Sequence, residues 1–262
     1  MKKRGQVTVF VIIGIVILAA VVLFLAVRNK VYIGPANVEN LQKEFIDFEV
    51  EIQNCLDDYG VELITQIGLH GGYLSPSKDT FRLYNDNKVS YLCYNQDKKP
   101  TCMNRMLTKT YMEKELVDKF KERMTQGCLD LKGFQKLGLD YKFGKLDVEV
   151  DIGDDSVVVF VNMPIEISKG DVKATADKFK TNVNLPLGRL YDASRDILNA
   201  ETSTGYFDTS LYSVQKTGVT SKPYVLKKLQ PYPDKLYILK IKDVPRVDDE
   251  FVFQFFVQGE KL

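Results

Sequence analysis

Little in this chain advertises chemistry. It has one histidine, His70, within GLHGGY, and no CxxC pair, so a zinc site of the usual His/Cys kind has neither the ligands nor the spacing it needs. No GxSxG, HExxH, Walker A or dinucleotide glycine motif occurs, and Gly71-Gly72 lacks the spacing and the lysine of a phosphate loop. No Asn-x-Ser/Thr triplet is present, which removes N-linked glycosylation. An excess of one charge is missing too: 36 basic residues stand against 35 acidic ones. Five of the basic and none of the acidic residues fall within 1–30, leaving 31 against 35 in the remainder. A nucleic-acid role therefore has no electrostatic footing. His70 has no visible catalytic partner and reads as a helix-end residue hydrogen-bonded beside the two glycines.

What the chain does have is one long apolar run. From Val7 to Val27 there are 21 residues without a charge, and at about 1.5 Å per residue a helix of that length spans roughly 31 Å, the thickness of a bilayer core. A cleaved secretory signal would be shorter and would end in a small-x-small site, which Ala19, Ala20 and Ala26 do not supply. No cysteine near the end of the run offers a lipid attachment. Lys2, Lys3 and Arg4 precede the run, while Arg28 and Lys30 follow it; the excess on the N-terminal side predicts N-inside, C-outside orientation.

The basic residues, Gly5, Gln6 and the immediate Val/Ile-rich helix together resemble the class III signal of archaeal type IV pilin-like proteins. Gln6 and Thr8 fit that pattern at the first and third mature positions, whereas Phe10 stands where many members carry Glu. The resemblance covers about the first 25 residues and implies cutting by a prepilin peptidase between Gly5 and Gln6, with the apolar helix retained. The chain as a whole is similar to single-pass membrane proteins of archaea, a resemblance that carries no function with it.

Beyond the run, Gly34 and Pro35 punctuate the chain, since proline cannot continue a helix entered from upstream. A second helix is expected from about Ala36, with Val38, Leu41, Phe45, Phe48, Ile52, Cys55 and Tyr59 spaced by threes and fours, ending at Gly71-Gly72. The seam is short for a coiled coil and reads as an amphipathic helix laid on its own domain. FRLY and VSYLCY flank Asn85-Asp86-Asn87 as a hairpin. Thr110-Tyr111-Met112-Glu113 reads as a capping box opening a helix with Met112, Leu116, Phe120 and Met124 inward, closing near Gly127. KLDVEVDIGDDSVVVFVNM is the clearest hairpin, turning at Gly153-Asp154-Asp155. Alternation returns at Phe179, Thr181, Val183 and Leu185, and Pro186 suits the first turn of a helix with Leu187, Leu190, Tyr191, Ser194, Ile197 and Leu198 on one face. LYILKIK and FVFQFFV are the final two strands, around DVPRVDDE.

Four cysteines, Cys55, Cys93, Cys102 and Cys128, all lie beyond the apolar run. An even count on the predicted outer side favours disulfides, with free buried thiols as the alternative. Three connectivities are open; the eight residues between Cys93 and Cys102 suit a loop staple, leaving Cys55 and Cys128 to tie two helix ends. Asp147, Glu149 and Asp151 share one strand face, which is either a cation site or the solvated side of the strand; Asp154-Asp155 and Asp248-Asp249-Glu250 are turn acids that could also serve calcium.

These readings combine into an α+β fold class: one N-terminal transmembrane helix followed by an ectodomain of antiparallel strands covered by helices. Residues 1–6 are expected as a basic cytoplasmic leader, 7–27 as the membrane segment, 28–36 as a linker and 37–262 as an extracytoplasmic domain open to division into two subdomains near 140. The expected location is the cell membrane, with the lipid bilayer, a prepilin peptidase, and self or other envelope proteins as partners. The expected role is structural, adhesive or interactive at the cell envelope, with no catalysis, cofactor or metal. A pilin-like filament subunit and an exported enzyme or ligand sensor are the alternatives.

Overall fold

A computed structural model describes residues 35–95, 102–129, 139–216, 224–247 and 250–259. Helix α1 (Pro35–Leu69) begins on proline, whose fixed φ and missing N–H suit a first helical position. Phe45, Phe48, Ile52, Leu56, Ile64 and Ile67 form its buried stripe. Glycines in the left-handed region close it: Gly71 has φ +73° and Gly72 φ +94°, and the Gly72 N–H donates to the Ile67 carbonyl at 2.8 Å. The hairpin β1 (Phe81–Tyr84) and β2 (Asn87–Tyr94) turns through Asn85 and Asp86, both at positive φ, which is the primed geometry that two-residue hairpin loops require.

Helix α2 (Lys109–Arg123) is capped by Thr108, whose hydroxyl accepts from the Tyr111 N–H, and not by Thr110 as the capping-box reading expects. Glu113, the acid of that expected box, instead accepts from the Ile152 N–H at 3.1 Å. Met112, Leu116 and Phe120 are buried along α2, and Met124 lies in a π-helical turn (Met124–Cys128) that continues it. Helix α3 (Leu187–Thr204) follows Pro186 and stops at Gly205, φ +70°. A fourth helix, α4 (Thr209–Lys216), starts where the Asp208 carboxylate accepts from the N–H groups of Ser210 and Leu211.

The remaining strands are β3 (Met103–Asn104), β4 (Asp140–Phe143), β5 (Asp147–Ile152), β6 (Val157–Lys169), β7 (Val172–Val183), β8 (Val225–Leu229), β9 (Lys235–Lys242) and β10 (Glu250–Val257). One sheet has the order β1-β2-β10-β9-β8, with β3 also on β2; the other joins β4, β5 and β7 to β6. Strand β10 is central in its sheet and carries Phe251, Phe253, Phe255 and Phe256, all buried. It runs antiparallel to β9, Glu250 opposite Lys242 through Val257 opposite Lys235, and parallel to β2, Phe256 opposite Tyr91.

The chain divides into two compact units. The first takes its described residues from Met1–Glu49, Leu131–Phe143 and Ile165–Ala176: Asp140 to Phe143 pair with Ser168 to Ile165, and Glu44 faces Lys169 at 3.7 Å. The second covers Val50–Asp130, Gly144–Pro164 and Asp177–Leu262 and holds the five-strand path, α2, α3 and the aromatic core. In this second unit Gly68 brings α1 so close to β10 that a Cβ there would run into the Val252 carbonyl oxygen, and the Gln254 amide donates to the Leu69 carbonyl at 3.0 Å.

The expected fold class is corrected here. The sheet built around β10 is mixed rather than antiparallel, because β2 and β10 are parallel, whereas β4 and β5 pair antiparallel with β6 in the other sheet. Among the described residues, no helix is long and apolar enough to cross a membrane. The run 7–27 lies outside the described residues, as do Gly5 and Gln6.

Candidate functional site

The cysteines pair as two bonds, Cys55 with Cys128 and Cys93 with Cys102, with Cα separations of 5.5 and 5.2 Å. No cysteine is free. The first bond ties the middle of α1, rather than a helix end as expected, to the π-helical turn after α2; the second staples β2 to the residue preceding β3.

Other residues singled out in the sequence have structural partners. The His70 imidazole Nδ1 lies 3.2 Å from the Leu74 carbonyl oxygen, and burial pulls its pKa below the ordinary 6.5. The turn acids are ion-paired rather than free to coordinate: Asp154 sits 4.0 Å from Lys109 Nζ, and Asp155 pairs with the Arg189 guanidinium. The Glu250 carboxylate accepts from Lys240 Nζ, which holds its pKa below the usual carboxylate range. Asp248 and Asp249 lie outside the described residues. Among the described residues, no group of three or more His, Cys, Asp or Glu side chains is placed to hold a metal ion.

One buried polar cluster escapes a reading of the sequence. Glu201, on the last turns of α3, is 1% exposed and accepts from Lys235 Nζ at 2.6 Å and from the Tyr237 hydroxyl, with Lys228 Nζ at 3.9 Å. Lys235 also donates to the Gly205 carbonyl at 2.6 Å. Tyr237 stacks on Phe255 at 5.4 Å and is edge-on to Phe207 at 6.1 Å. Burial, then the bond to Glu201, drives its phenol pKa far up, so the group stays protonated. Lys228 lies over the rings of Tyr206 and Tyr237, and burial lowers its pKa. The cluster fastens the end of α3 to β8 and β9. A comparable tie forms at Asp234, which accepts from Arg82 at 2.8 Å, from the Tyr91 hydroxyl at 2.7 Å and from the Gly259 N–H at 3.2 Å.

The open site lies on the outer face of β5, β6 and β7. Strict alternation puts Val148, Ile152, Val157, Val159, Val161, Phe179, Thr181 and Val183 inward. The same alternation leaves Asp147, Glu149, Asp151, Phe160, Asn162, Lys178 and Lys180 outward. Register sets Glu149 opposite Phe160 and Asp147 opposite Asn162. Strand β6 has two edges: β5 takes one over 157–162, and β7 returns along the other after the two-residue turn Gly170-Asp171. The result is a column of carboxylates on β5, an exposed phenyl ring on β6 and a pair of ammonium groups on β7. All of these outward residues except Asp151, together with Val161 and Phe179, bound a pocket of about 480 Å³. Lys180 Nζ sits 5.0 Å from the centroid of the Phe160 ring, and Lys121 Nζ is 3.9 Å from Asp147. Such a face can bind charge of either sign and an apolar body between. No protein-family model matches this chain, and no curated protein matches it in sequence.

Proposed function

We propose that this chain is a cell-envelope protein whose cysteine-bearing part faces the outside and has a structural, adhesive or interaction role. The observation that carries the reading is that all four cysteines are joined in two bonds. Disulfides persist in oxidising compartments and are rare in a reducing interior. The apolar run Val7–Val27 behind Lys2, Lys3 and Arg4 supports a location at the membrane with the N-terminus inside. The pocketed face of β5 to β7, with an exposed ring between opposite charges, supports recognition of a partner.

Protease added to intact cells that make the protein is expected to digest the part beyond residue 30 and to leave a cytosolic control whole. Peptide mapping without reductant from the same cells is expected to recover both cysteine pairs. Protection of the whole chain together with four free thiols would overturn the exterior assignment. The class III signal resemblance adds that Gln6 is the first residue of the mature chain, which sequencing the purified N-terminus reads directly.

A further inference from the structure

We propose that the outer face of β5, β6 and β7 is the docking site for a second copy of this chain, paired about a two-fold axis that lies along β6. The argument starts from the distribution of charge. The outward groups of β5 are acids, Asp147, Glu149 and Asp151, while Lys178 and Lys180 point outward from β7. Each column stands one strand from β6, about 4.8 Å away. Turning a copy half a revolution about the β6 direction and laying it face to face puts its β5 over the first copy's β7. Carboxylates then meet ammonium groups at both flanks, and Phe160 meets Phe160 on the axis. Turning it about the perpendicular in-plane direction would lay acids on acids and lysines on lysines, so the charge pattern selects one of the two orientations.

The composition of the face fits this occupant. Phe160 is 44% exposed at the centre although a lysine arches over it, and charged side chains surround it, the arrangement of an interface with an apolar centre and a polar rim. Face-to-face sheets stack about 10 Å apart, which leaves room for one layer of side chains from each copy and fills the pocket beside Phe160. A foreign partner would have to present the same opposed charges at the same spacing, whereas a second copy presents them by symmetry.

Two double variants of the full chain, purified in mild detergent, test the proposal: Asp147→Lys with Glu149→Lys, and Lys178→Glu with Lys180→Glu. All the altered side chains are exposed, and the surface contacts they lose, such as Lys121 with Asp147, are weak, so each variant is expected to stay folded with a melting temperature within a few degrees of the wild-type value. The wild type is expected to sediment as a dimer that salt weakens. Each variant alone is expected to associate more than about tenfold more weakly, because its two faces now carry like charges. An equimolar mixture is expected to recover the dimer as a heterodimer, since one face is then basic but for Asp151 and the other is acidic. A monomeric wild type would overturn the proposal, and so would variants that still self-associate like the wild type or folded variants whose mixture stays apart. None of these results bears on which side of the membrane the chain occupies, so the exterior assignment stands or falls separately.

Discussion

At the scale of single residues, burial decides which polar groups matter. His70 is half-buried against the Leu74 carbonyl, and its pKa is lowered by burial. In the unfolded chain it protonates near 6.5; in the folded chain it resists protonation to a lower pH. Its contribution is therefore whole above the unfolded value and is lost as the pH falls through the folded one. The urea midpoint of the wild type is expected to drop, relative to His70→Gln, between about pH 7.5 and pH 5.5. Glu115, whose carboxyl burial pushes upward, acts with the opposite sign, and the comparison with the variant cancels it. Glu201 is the larger effect. Glu201→Ala would leave Lys235 and Lys228 facing one another in a buried site and the Tyr237 hydroxyl without its acceptor. The expected loss is about 3–5 kcal/mol in urea unfolding, with Glu201→Gln falling between it and the wild type. The inward stripe Met112, Leu116, Phe120 and Met124 was legible from helical spacing, and all four are fully buried. Glu201 was not legible: a glutamate late in a helix reads as solvent-facing, and its burial depends on Lys235 and Tyr237, which are 34 and 36 residues further on.

Among the elements, those with a strong period of their own could be read and those that owe their form to a neighbour could not. The β1–β2 and β5–β6 hairpins follow from spacing and turn residues, and so does the α1 stripe at Phe45, Phe48 and Ile52; further on Leu56 is buried while the expected Cys55 and Tyr59 are only half-buried, and the side chains of Val38 and Leu41 lie outside the described residues. Strand β8, by contrast, contains two lysines in five residues and becomes a strand through pairing with β9, Val225 opposite Lys240 to Leu229 opposite Leu236. The start of α2 lies two residues earlier than the capping-box reading places it: Thr108 rather than Thr110 takes the cap, and Glu113 is engaged with the β5 backbone instead of closing a capping box. The open site was half legible. The acid column of β5 was visible as a strand face, but nothing in the linear order says that Lys178 and Lys180 flank Phe160. The two disulfides differ at this scale in the length of chain they close. Cys55 and Cys128 are 73 residues apart and Cys93 and Cys102 nine. On the chain-entropy model the first bond is worth about 4.4 kcal/mol and the second about 2.6 kcal/mol. Paired Cys→Ser replacement, followed by urea unfolding, is expected to preserve that ranking.

At the scale of the whole molecule, the departure from the expected fold class has two parts: among the described residues no helix is long and apolar enough to cross a membrane, and one strand pairing is parallel. An all-antiparallel reading rests on strands that follow one another in the chain, and β9 with β10 or β5 with β6 obey it. The parallel contact of β2 with β10 joins Tyr91 to Phe256, a distance along the chain that local periodicity does not report. That contact has a consequence for how the molecule is made. Because β10 sits between β2 and β9, a chain still being synthesised holds its first hairpin and its penultimate strand with their facing edges bare until the aromatic-rich strand arrives. A ribosome that pauses before Phe251, or a protease that clips after Lys242, would thus release a species with two sticky sheet edges, the form most prone to aggregation and to capture by chaperones.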